Sequence, residues 1–147
     1  MTRKSEHARQ VVQKCDHWYF QMEHHNHWVT IGPVRVYFRK GPHPFQGQIL
    51  HGLTLANAVV KPQFEGSGFF APVLKWMESK LEEGVAPLVS EVRRIPGPLG
   101  LLYVENVSSR RLQEVLARHS WEKVPQTSLV EDMPSFYKLR KELYSIF

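Results

Sequence analysis

Residues 53–70 read LTLANAVVKPQFEGSGFF, and the fold turns on them. Leu53 to Val60 is a buried strand by length and content. A glycine turn follows at Glu65-Gly-Ser-Gly68, and then Phe70, Val73, Leu74, Met77 and Leu81 recur at helical spacing, ending at Glu82-Glu83-Gly84. Strand, glycine turn, amphipathic helix and glycine stop form one unit. Pro72 falls near the start of that helix, where a missing N–H costs least.

Outward from this unit the pattern continues in both directions. Upstream, Ala8, Val11, Val12, Cys15, Trp18, Tyr19 and Met22 are spaced by three or four residues, which predicts a helix from Ser5 to about Glu23. After a histidine-rich hinge, Trp28–Ile31 and Val34–Arg39 flank Gly32-Pro33 and predict a hairpin. The segment from Gly41 to Gly52, with two prolines and three glycines, is expected to be mostly loop. Downstream, a proline-spaced connector leads to a second apolar strand, Leu101–Val107. Ser108-Ser109 then caps a helix that buries Leu112, Val115 and Leu116. Short strands are expected at Trp121–Val124 and Ser135–Leu139, joined by a loop through Pro125 and Pro134.

A chain of 147 residues with 42% hydrophobic and 22% charged residues has the size and composition of one domain with its own core. The balance of 19 Lys+Arg against 14 Asp+Glu gives +5, a bias that suits anionic partners without choosing among them. A single cysteine, Cys15, gives no intramolecular disulfide. No apolar run approaches the length of a membrane span, so a cytoplasmic protein is expected. His17, His24, His25 and His27 cluster in sequence, but neighbouring histidines on one hinge point apart, and no metal site is expected there.

The order of elements around Val60-Lys61-Pro62 and the glycine turn resembles the GNAT family of N-acetyltransferases, over roughly residues 27 to 140. LYVENVSSRRLQEVLARHSW, residues 102 to 121, looks like that family's next strand and helix, and the SFYK stretch, Ser135 to Lys138, like its closing strand. The resemblance implies a mixed, mostly antiparallel α/β sheet of about six strands flanked by helices, with an N-terminal helix in place of a clear first strand. It also implies acetyl transfer from acetyl-CoA to a primary amine. The cofactor pyrophosphate would lie on the turn, with Ala58, Val59 and Val60 beside the pantetheine arm and Glu65, Gly66, Ser67, Gly68, Phe69 and Phe70 around the phosphates. Backbone amides at a helix N-terminus grip phosphate, and glycines permit close approach. Counting from Val60 and Pro62 places the family's usual Arg or Gln at Glu65 and its last glycine at Phe70. Counting by glycines places the motif on Gln63, Gly66 and Gly68. An oxyanion donor is expected at Asn57 to Val59.

The family's usual acid, a tyrosine four residues before the Gly-Phe position, falls on Leu116. Glu105 ends the second strand, where a carboxylate serves either as base or in an ordinary ion pair with a neighbouring arginine. Asn106 and Ser109 occupy the following turn, as caps or as contacts to cofactor or substrate. Tyr103 and Tyr137 are replacement acids or packing residues. Arg110 and Arg111 oppose the dipole of the helix they begin, which suggests an anion nearby. The acceptor is an amine of unspecified class, small molecule or protein. A non-catalytic module of the same fold, binding a protein or nucleic acid partner, is the alternative.

Overall fold

A computed structural model describes residues 3–125 and 133–147. The expected loop between Pro125 and Pro134 lies mostly outside the described residues. Helical spacing at the N-terminus produces α1 (Arg3–Gln21), which buries His7, Val11, Cys15, Trp18 and Tyr19. Two hairpins follow. The strand β1 (Asn26–Ile31) pairs with β2 (Val34–Phe45), and β2 pairs with β3 (Gln48–Val60), all antiparallel. The helix α2 (Ala71–Glu83) starts with Pro72 in its first turn and ends at Gly84, whose φ of 69° is left-handed.

Beyond α2 the chain enters β4 (Leu99–Val104), then α3 (Arg110–Arg118), β5 (Glu122–Lys123) and β6 (Phe136–Leu139). Ser109 caps α3, its Oγ accepting from the Leu112 N–H at 3.2 Å. The sheet order is β1-β2-β3-β4-β6-β5, six strands, with β3 and β4 the one parallel pair among the described residues. This is the mixed, mostly antiparallel α/β architecture expected from the sequence, with a helix leading it.

One segment departs from expectation. Residues 41–52 are not mostly loop: β2 and β3 run on to a tight turn at Gln46-Gly47, where φ is 45° and 81°. Proline was the misleading signal. Beyond Arg39, β2 has outrun β1 and is an edge strand, so Pro42 and Pro44 need no N–H on their open side. The second apolar strand is also shorter than its apolar run, ending at Val104 rather than Val107.

The sheet has one covered and one open face. Val11 and Cys15 of α1, Val73 and Met77 of α2, and Leu116 of α3 all join the cluster that holds Val36, Phe38, Leu53, Leu55, Leu102 and Val104. On the other face a smaller cluster of Phe45, Leu101, Tyr137 and Leu139 is backed by Leu143 and Phe147 of the C-terminal turn. Over β1 and β2 that face bears a self-stacked row. Arg35 lies 4.5 Å over the Trp28 ring, Trp28 stacks on Tyr37 at 5.0 Å, and Arg39 lies 6.0 Å from the Tyr37 ring.

Candidate functional site

The parallel pairing of β3 with β4 stops early. Leu55 opposite Val104 is the last pair, followed by one further bond from the Glu105 N–H to the Leu55 carbonyl at 3.0 Å. The chain then swings toward β6: the Asn106 N–H donates to Ser135 Oγ at 3.1 Å, and the Val107 N–H donates to the Pro134 carbonyl at 2.8 Å. Asn106 makes the swing at φ 48°, a left-handed conformation that asparagine tolerates better than most residues. Meanwhile β3 continues to Val60, paired only with β2. The β4-facing edge of Ala56–Val60 therefore has no partner strand among the described residues.

A bulge marks the mouth of this opening. Phe38 faces Leu55 and Tyr37 faces Asn57, so Ala56 is the extra residue in β3. Bulges re-aim backbone groups and end pairing, and this one lies beside the residues expected to offer the oxyanion donor. Ala58 and Val60 pack toward the core, and Val59 turns to the open face, half exposed.

At the far end of the opening lies the glycine turn. A short helical turn, Pro62–Phe64, precedes Gly66 at φ 76° and Gly68 at φ 87°, both left-handed. The N–H groups of Gly66, Gly68, Phe69, Phe70 and Ala71 have no acceptor among the described residues. Ser67 differs from the expectation that every amide from Gly66 to Phe69 is offered, because its N–H already donates to the Phe64 carbonyl at 3.2 Å. Its hydroxyl bonds the same carbonyl. Phe69 packs edge-on against Phe64 and His7, with ring centroids 5.3 and 4.9 Å apart.

Helices distant in sequence complete the turn. His7 Nε2–H on α1 donates to the Phe69 carbonyl at 2.7 Å, which pins the turn from the buried side. Arg111 of α3 lies across Gly66. Its Nη2 donates to the Gly66 carbonyl at 3.3 Å, and a Cβ on Gly66 would collide with its Nη1. Lys4 Nζ is 3.6 Å from where a Cβ of Gly68 would stand. Neither cation has an acidic partner among the described residues. Glu65 supplies no cation, but Lys4 and Arg111 bring two to the same turn.

Of the residues expected to do chemistry, Glu105 stands nearest the mouth. Arg39 Nη1 donates to its Oε1 at 2.5 Å, so the ion-pair reading is observed. Ser109 is tied to its cap and Asn106 to its backbone bend. Tyr137 packs: its hydroxyl donates to Glu122 Oε2 at 2.5 Å, and burial, with that carboxylate second, pushes the phenol up to about 12. Tyr103 lies against the His43 ring at 4.7 Å. Leu116 is fully buried and plays no part. Among the described residues no three His, Cys, Asp or Glu side chains gather as a metal site, and the His24 and His27 rings lie 5.9 Å apart.

Nothing local in the sequence pointed to Lys4 and His7 at this turn or to Arg39 beside Glu105. Arg111 alone carried a signal, its unfavourable charge at a helix start. The others enter by tertiary docking, which leaves no local trace.

No family model matches the chain, and no curated protein matches it. Among solved structures, the chain is similar to the AtaT Y144F mutant toxin bound to the C-terminus of the antitoxin AtaR and acetyl-CoA, at 11% identity and TM-score 0.48. It is also similar to a chain of the KacTA–DNA complex, at 14% identity and TM-score 0.47. Each match covers 78% of this chain and 62% of the other, so the chain spans less than two thirds of their length. Among the described residues no helix is long and apolar enough to cross a membrane.

Proposed function

We propose that the chain is an acetyl-CoA-dependent N-acetyltransferase, acting as one domain on a primary amine. The observation that carries this reading is the opening itself: β3 outruns β4 from Ala56 to Val60 and leads straight into a glycine turn with five amides that have no acceptor among the described residues. A strand edge without a partner accepts an extended, amide-bearing ligand as it would a further strand. Free amides at a helix N-terminus, flanked by Lys4 and Arg111, suit the phosphates at one end of such a ligand. The residues present fit acetyl-CoA, which supplies the acetyl thioester when bound.

The chain's own groups then have distinct tasks. Lys4, Arg111 and the amides of Gly66, Gly68, Phe69 and Phe70 hold phosphate, while His7 keeps the turn from relaxing. The backbone at the Ala56 bulge offers donors at the mouth, where negative charge on a carbonyl oxygen needs stabilising. Glu105 accepts from Arg39 through Oε1 and leaves Oε2 to receive an ammonium from the open face.

Calorimetry with acetyl-CoA tests the reading. Saturable micromolar binding by the wild type, lost in Gly68→Trp, is expected. Absence of binding at millimolar acetyl-CoA would contradict it and favour a partner-binding module, the reading that Glu65 and Leu116 support.

A further inference from the structure

Among the described residues the helices cover one face of the sheet, which leaves the other face as the approach to the mouth at Ala56 and Glu105. Glu105 is ion-paired and suited to hold an ammonium, and taking the proton itself would break its pair with Arg39. Attack on a thioester requires a neutral amine, so a second group must take that proton.

His43 is placed for it. Its Nδ1–H donates to the Pro44 carbonyl at 2.8 Å, and a carbonyl can only accept, so the neutral ring carries its lone pair on Nε2. Nε2 has no partner among the described residues. The ring leans across β3 to Tyr103 on β4, and it can do so only because Gly52 intervenes: a Cβ there would strike His43 Cβ at 2.8 Å. Tyr103 of β4 and Glu105, just past its end, lie on the same face two residues apart, and Glu105 acts electrostatically on the His43 ring that Tyr103 touches. The charged groups facing His43 are Arg39 and Glu105, with the Tyr103 ring beneath it.

Resting on the acetyltransferase reading, we propose that His43 Nε2 is the general base that deprotonates the acceptor ammonium held by Glu105. The proton moves from nitrogen to Nε2. The amine's N–C bond then forms as the C–S bond breaks, and the nitrogen's remaining surplus proton leaves with sulfur as free thiol. Desolvation lowers the imidazole from its ordinary value, which favours the neutral form a base needs.

Two measurements test this. Imidazole nitrogen NMR of the wild type at pH 7 is expected to show His43 neutral with Nδ1 protonated; a charged ring or a proton on Nε2 would overturn the proposal. Thiol release from acetyl-CoA is then followed against pH with ethylenediamine as probe amine. His43→Gln is expected to lower the rate by about a hundredfold and to abolish the acid limb, with acetyl-CoA affinity unchanged by calorimetry. His43→Asn replaces it if the Gln variant does not fold. A variant with the wild-type rate and profile would overturn the role of His43 and leave the acetyltransferase reading standing. Wild type that binds acetyl-CoA but releases no thiol above the buffer rate would overturn the role as well, since an open-face base accepts from any unhindered amine. Wild type that binds no acetyl-CoA would overturn the underlying reading itself.

Discussion

Gly66 and Gly68 sit at φ 76° and 87°, where an L side chain is strained, and at Gly66 the Arg111 guanidinium also leaves no room for a Cβ. Gly68→Ala is expected to cost about 1 kcal/mol of stability in urea unfolding, with weaker acetyl-CoA binding. Lys4 and Arg111 are exposed, so their effect belongs to binding and not to folding. Reversing either charge, Lys4→Glu or Arg111→Glu, is expected to weaken acetyl-CoA binding by about three- to tenfold at low salt, with a smaller effect at high salt. An unchanged Kd in both would remove the cations from the site. Cys15 is fully buried in α1, and burial pushes its thiol up from 9.0 to about 12. Native protein at pH 8 should therefore resist iodoacetamide and react only once unfolded.

At the scale of elements, α1 shows how much a sequence tells and where it stops. Its spacing revealed the helix, and nothing local revealed how it ends. The last turn carries no basic residue. Lys40 of β2, 1% exposed, instead sends its ammonium to the carbonyls of Trp18, Tyr19 and Met22, at 2.5, 3.2 and 2.5 Å. Lys40→Met leaves three buried acceptors and is expected to cost roughly 2–4 kcal/mol by denaturant unfolding. A loss within error would mean that water reaches those carbonyls. The β2–β3 hairpin teaches the complementary lesson: Pro42 and Pro44 read as loop because one sequence does not disclose where β1 ends and β2 becomes an edge. The site divides the same way. Val60-Lys-Pro62 and the glycines were legible because turn chemistry is local, whereas the opening at Glu105 is a register event between strands 50 residues apart in the chain.

For the whole molecule, buried groups set the response to base. Tyr19 is fully buried, its hydroxyl donates to the Val85 carbonyl at 2.7 Å, and desolvation raises its phenol as it does the Cys15 thiol. Below about pH 9 folded and unfolded chains hold these protons alike. Above it the unfolded chain releases first the thiol proton and then the phenol proton, while the folded chain keeps both, so stability falls as pH rises. Unfolding midpoints from pH 8 to 11 check this, and a flat profile would contradict it. The open sheet face, with its row from Arg35 to Arg39, leaves the mouth accessible, while the helices on the other face give the glycine turn its rigid support.

One ligand is expected to occupy both the turn and the unpaired edge of β3. Backbone amide NMR of nitrogen-15-labelled protein titrated with acetyl-CoA tests it most directly. Concerted shifts are expected at Gly66, Gly68, Phe69 and Phe70 together with Ala56 to Val60, with the β1 amides unmoved. Shifts confined to other surfaces, or none at saturating acetyl-CoA, would contradict it.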